Sequence, residues 1–193
     1  FRRVFRSLGN HELWSFPGFQ IEQIVSKYRT ILEEYGMYLL HNDLLYKEDC
    51  GLLADPNTGT HLIKYHDLCQ MNETQIADRL RSARYVILGG LGFSGYNMEF
   101  NADNGIYRMT VDRDTEIKES KIFEDLYNRL RPILANKNTI ILTHTPKKDW
   151  CREADPNKNY VYVSGHTHRN FFHDDGEYRV YSDNQVGYHS ENP

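Results

Sequence analysis

The sequence predicts an α/β fold, on three observations. Continuous apolar runs of strand length, "RYVILGG" (84–90), "TIILTHTP" (139–146) and "NYVYVSGHTH" (159–168), recur along the chain. Stretches with helical periodicity separate them. Each run stops abruptly at glycine or histidine, so polar groups from distant parts of the chain are expected to gather at one end of a sheet. At 193 residues, with no internal repeat and no linker-like tract, one domain with a real core is the expectation.

The elements follow in order. Residues 19–35 place Phe19, Ile24, Tyr28, Ile31, Leu32 and Tyr35 at helical spacing, with Gly36 where a C′ residue belongs. "MYLLHNDLLYK" (37–47) is two short apolar runs around His41-Asn42-Asp43, which predicts a hairpin. "EDCGLLADPNTGT" (48–60), dense in Asp, Gly, Pro and Asn, predicts a loop. Asn72 and Gln75 stand at capping-box spacing and open a helix over 72–83. "RYVILGG" is a strand. "KESKIFEDLYNRLRPIL" (118–134) is an amphipathic helix on Ile122, Phe123, Leu126, Tyr127 and Leu130, ended or kinked at Pro132. The strand over 139–146 carries His144 at its tip, and the strand over 159–168 carries His166 and His168. A turn at His173-Asp174-Asp175-Gly176 leads into a last strand over 177–184.

Bulk composition narrows the function classes. Apolar residues make up 39% and charged residues 26%, which reads as globular. A net charge of −4 argues against a broad nucleic-acid-binding surface, although a local site could still take a nucleotide or nucleic acid. No apolar run approaches 18 residues and "FRRVFRSLGNHE" lacks a signal-peptide core, so no membrane partner is expected. Three cysteines, Cys50, Cys69 and Cys151, fit a reducing compartment better than a disulfide framework. The expected location is the cytoplasm.

The chemistry lies in three short motifs. "LGNHELW" (8–14) puts a carboxamide and an imidazole side by side after an apolar residue. Neutral imidazole suits Zn, Mn and Fe, and carboxamide oxygen suits the harder ions. His166 and His168 would face one side if the segment stays extended, and His144 follows a strand in the same layout. Other patterns are weaker. "GLGFSG" (90–95) has dinucleotide-binding spacing, but no helical stripe follows it, so a strand-end loop is the better reading. Cys50, His61, His66 and Cys69 do not match a strong zinc spacing. "FRRVFR" (1–6) sets arginines beside aromatics, a weak phosphate-contact signal.

"GNHE", "ILTHTP" and "SGHTH", in this order, resemble the calcineurin-like metallophosphoesterase family, over residue 8 to about 187. The resemblance implies two packed mixed β-sheets flanked by helices. It also implies metal-dependent phosphoester hydrolysis, as a phosphatase or phosphodiesterase, with two divalent ions (Mn, Fe or Zn). Carried over, Asn10, His144 and His166 would be ligands of one metal and His168 of the other. His11 would be catalytic beside the substrate phosphate, as general acid or electrostatic partner, and Glu12 would orient it. Protein phosphatases, nucleotide phosphodiesterases and nucleases share these motifs, so they name a reaction rather than a substrate.

The chain departs from the family pattern at its start. The Asp-x-His and Gly-Asp motifs, which would bring a bridging carboxylate, should precede Gly9, and "FRRVFRS" contains neither Asp nor His. The expectation is therefore a single metallophosphoesterase-like domain over 1–193, incomplete at its N-terminus. Either a missing N-terminal segment or a partner chain would complete it, and the isolated chain would be weak or inactive. The alternative is a non-catalytic module of the same fold, used for binding or as a scaffold, with one metal or none.

Overall fold

The computed structural model describes residues 4–49, 58–92, 113–151, 159–166, 171–174, 176 and 179–182. Among these residues its centre is a seven-stranded mixed sheet built from β3 (Asp43–Glu48), β4 (Thr60–Ile63), β5 (Ala83–Gly90), β6 (Asn138–Thr143), β7 (Tyr160–Ser164), β8 (Phe171–Asp174) and β9 (Arg179–Ser182). The spatial order is β4-β3-β5-β6-β7-β9-β8. Strands β5, β6, β7 and β9 are parallel, β3 runs antiparallel to both neighbours, and β8 is antiparallel to β9. A second, two-stranded parallel sheet pairs β1 (Phe5–Arg6) with β2 (Tyr38–Leu39). The chain is thus α/β, with a mixed sheet, helices and a small parallel sheet.

Side chains alternate across the sheet, so register separates two faces. Leu44, Leu88, Ile141 and Tyr162 are neighbours on one face, all within the main core. Among the described residues four helices cover them: α3 (Tyr65–Gln70), α4 (Glu73–Arg79), α5 (Arg113–Leu134) and α6 (Lys147–Trp150). They contribute Leu68, Ile76, Phe123, Leu126, Tyr127, Leu130 and Trp150. The other face carries Leu45, Ile87, Ile140 and Val161 in one row and Leu142, Val163, Tyr181 and Phe172 in the next. Leu45 and Ile87 are buried there with Leu40, and Phe5 and Tyr38 of the small sheet pack on them. Farther along the row, cover from the described residues runs out. Ile140, Leu142, Val161 and Val163 are half-buried, and Tyr181 and Phe172 are exposed.

The two glycines that end β5 let the layers close. A Cβ on Gly89 would sit 2.4 Å from Leu40 Cβ, and one on Gly90 would sit 2.5 Å from the Phe123 ring. Helix α2 (Ile21–Glu34) packs Ile21, Ile24, Val25 and Leu32 with Leu8 and Leu13, the latter on the short helix α1 (Asn10–Trp14). Leu39 and Leu91 complete that cluster.

Several expectations need correction. Residues 37–47 are not a hairpin, because β2 pairs with β1 and β3 pairs with β4 and β5. Asn42, with φ at 59°, turns the chain between the two sheets. Phe19 and Tyr35 lie outside α2 and are exposed, so the helical stripe is narrower than 19–35. Helix α5 begins at Arg113 and runs through Pro132 to Leu134, although Pro132 has no N–H to give the carbonyl four residues earlier. His173 and Asp174 belong to β8, and the turn comes later, at Gly176. Strand β7 stops at Ser164, short of the expected 168. Among the described residues no helix is long and apolar enough to cross a membrane.

Candidate metal centre

Three strand or loop ends meet at one edge of the large sheet. Asn10 opens α1, directly after Gly9 in the connection from β1. Gly9 N–H donates to Glu12 Oε2 at 2.8 Å, which fixes this tight entry. A Cβ on Gly9 would lie 2.7 Å from His144 Cε1, so only glycine lets the loop approach that ring without displacing it. His144 follows β6. Its N–H donates to Leu91 O at 2.9 Å, and its carbonyl accepts from Gly165 N–H at 3.0 Å. The ladder therefore continues past the strand ends and holds His144 on the side of the sheet where Leu142 lies.

The donor atoms converge on His144 Nε2. Asn10 Oδ1 is 2.7 Å from it and His166 Nδ1 is 2.9 Å from it. The two imidazole rings are 4.7 Å apart and inclined at 71°. Asn10 is 5% exposed and His166 6% exposed, so both arrive desolvated. Proton counting exposes a conflict among these three atoms. Asn10 Oδ1 only accepts, and a neutral imidazole nitrogen either donates or accepts. A single N–H on His144 must serve two acceptors, or two lone pairs face each other. A cation among the three atoms removes that conflict. Ligand atoms about 2.0–2.1 Å from a zinc-sized ion lie about 3 Å from one another, close to the spacing observed. The residues present fit a divalent metal.

His166 reaches this point by leaving the extended conformation. Its φ is 69°, in the left-handed region that costs a non-glycine residue about 1–2 kcal/mol. The expectation that His166 and His168 share a side through strand alternation therefore fails at its first residue. Thr167 and His168 lie outside the described residues. Among those described, no group of three or more His, Cys, Asp or Glu side chains forms a metal site, because the third donor here is an amide oxygen.

His11 is exposed beside Asn10, with its ring 4.6 Å from that of Trp14. Glu12, expected to orient His11, accepts from Gly9 N–H and so shapes the loop. The other candidate ligands do not gather. His61 stacks on Tyr46 at 4.9 Å, His66 contacts Gln70 at 2.8 Å on α3, Cys69 is exposed, and Cys50 lies outside the described residues. The "GLGFSG" stretch is described only to Gly92, which has φ at 57° and is held against Thr143 and Trp150. Of "FRRVFR", residues 1–3 lie outside the described set.

Sequence reasoning missed a buried polar node on the same side of the sheet. Asp43, fully buried at the start of β3, pairs with Arg29 of α2. It also accepts from His41 N–H at 3.0 Å and Tyr65 N–H at 2.9 Å. Burial pushes its carboxyl above the usual range, against the pull of Arg29 and the two N–H groups. His41 is driven down to about 4 by burial first and the Arg29 charge second, so it is neutral at physiological pH. The one signal was an aspartate opening an apolar strand, which turn chemistry explained too easily.

No protein-family model matches the chain, and neither a curated protein nor a solved structure matches it.

Proposed function

We propose that this chain serves metal-dependent phosphoester hydrolysis, as a phosphatase or phosphodiesterase. Its dinuclear centre would use Asn10, His144 and His166 at one metal and His168 at the other, completed by carboxylates from outside the 193 residues. The observation that supports this most is the convergence of Asn10 Oδ1 and His166 Nδ1 on His144 Nε2, at 2.7 and 2.9 Å. Divalent ions (Mn, Fe or Zn) held there would supply Lewis acidity at a phosphoryl oxygen and would acidify a water. The chain's own part is to orient these donors and to present His11, exposed beside them, as proton donor to the leaving oxygen.

The open face fits the same reading. Parallel strands with continuous apolar runs are normally covered on both sides. Ile140, Leu142, Val161 and Val163 have that composition with half the cover. The β1–β2 pair, too small to be stable alone, lies over one end of this face. We take it as part of a second sheet that would complete a two-sheet sandwich and deliver the carboxylates to the same edge.

Titration with Mn²⁺ or Zn²⁺ followed by calorimetry tests the proposal. The chain is expected to bind one ion firmly, with binding lost in His144→Ala, and to hydrolyse bis(p-nitrophenyl) phosphate weakly or not at all. Absence of binding, or binding indifferent to His144, would overturn the metal centre. Because no carboxylate joins the two imidazoles among the described residues, the competing reading is a binding or scaffold module. That reading gains if added upstream sequence restores the second sheet but brings no second metal.

A further inference from the structure

The metal centre is divided between two bodies. Asn10 and His11 belong to the β1–α1–α2–β2 unit, whereas His144 and His166 belong to the large sheet. Most of the seam between them is apolar, made by Phe5, Tyr38 and Leu40 against Leu45 and Ile87, with Leu91 entering the α2 cluster. Apolar contact is non-directional, so it presses the two bodies together without fixing where one lies along the other. The Arg29–Asp43 pair differs. It joins the middle of α2 to the first residue of β3, and the side chains are 23% and 1% exposed. Asp43 cannot follow a sliding Arg29, because the N–H groups of His41 and Tyr65 already fix its oxygens.

We propose that Arg29 and Asp43 are positioning residues for the metal centre. Their ion pair sets the register of the β1–α1–α2–β2 unit on the sheet, and so keeps Asn10 Oδ1 against His144 Nε2. A buried ion pair contributes little net stability over an apolar replacement, and its best-attested use is to select one register. Stability and positioning can therefore be separated by experiment.

The test is nitrogen NMR of histidine-labelled, metal-free protein, with Asn10→Ala as the reference for a broken contact. In Arg29→Met the His144 Nε2 resonance is expected to move toward the Asn10→Ala position, and in Arg29→Lys it should move part of the way. Leu130→Ala, which removes core contacts under α5, should leave it in place at whatever cost in stability. If Arg29→Met alone does not fold, the double variant Arg29→Met with Asp43→Leu replaces the pair by apolar groups and serves instead. A folded variant of either kind with the His144 signal at its wild-type position would overturn the proposal. A second arm rests on the metal reading: Mn²⁺ affinity should fall by about 10–100-fold in Arg29→Met, as it does when residues supporting metal ligands are removed. A shifted His144 signal with no Mn²⁺ binding even in the wild type would leave the positioning role standing and remove the metal centre.

Discussion

Leu88 and Leu142 sit on neighbouring strands of one sheet, both leucines in apolar runs, yet only one is shut away from water. Leu88 faces α5 and is fully buried, whereas Leu142 faces the other way and is half-buried. The same contrast runs across the sheet: Ile141 and Tyr162 are closed in, and Val163, Tyr181 and Phe172 are not. Composition is nearly the same on the two faces. Cover differs, and the donor atoms gather at the edge of the less covered side, where the β1–α1–α2–β2 unit reaches over. A face closed by helices fixes the strands, and the partly open one leaves room at its rim for the proposed chemistry.

The largest expected effect lies on the helix-covered face. Leu88→Ala should cost about 2–5 kcal/mol in urea unfolding, since a cavity under α5 has no means of collapsing. Should it cost no more than a substitution on the open face, the contrast between the faces is wrong.

Next comes the seam. His41 is neutral in the folded protein down to about 4, but in the unfolded chain it takes a proton near 6.5. The unfolded state therefore binds more protons over this window, and stability falls as pH falls from about 6.5 toward 4. From pH 7 to pH 5 the contribution of His41 is a loss of about 2 kcal/mol. His41→Gln should remove that loss, so that its unfolding midpoint changes less between the two pH values than the wild type's. The raised carboxyl of Asp43 acts with the opposite sign from 3.8 upward, which is why the difference between variant and wild type is the quantity to read.

Gly9→Ala tests the rim itself. Its methyl would collide with the His144 ring, and metal affinity is expected to drop by about tenfold or more while far-UV circular dichroism stays unchanged. The smallest effect belongs to the open face: Leu142→Ala should cost about 1 kcal/mol, because part of its surface already meets water. A much larger cost would mean that this face is covered in solution.

How much of this was legible in the sequence depends on range. The capping box at Asn72–Gln75, the C′ glycine after α2 and the continuous runs of β5, β6 and β7 are local signals, and the structure follows them. The 37–47 segment failed because apolar runs around a turn do not say which strands they will meet; pairing is decided by β1 and β5, far away in sequence. Strand β8 was hidden because Phe171-Phe172-His173-Asp174 is too short to alternate convincingly. The convergence of Asn10, His144 and His166 followed from a repeated layout at strand ends. Arg29 and Asp43 gave no comparable hint, since an ion pair between a helix and a strand leaves no periodicity.

His166 sits at φ 69°, a conformation that glycine would hold without cost. His166→Gly is expected to relieve that backbone penalty, but it also gives up a buried ring and frees the unfolded chain, so the domain should gain nothing in resistance to unfolding while the rim loses one donor. Under the proposed metal reading, the comfort of the backbone and the chemistry of the rim pull in opposite directions at this residue.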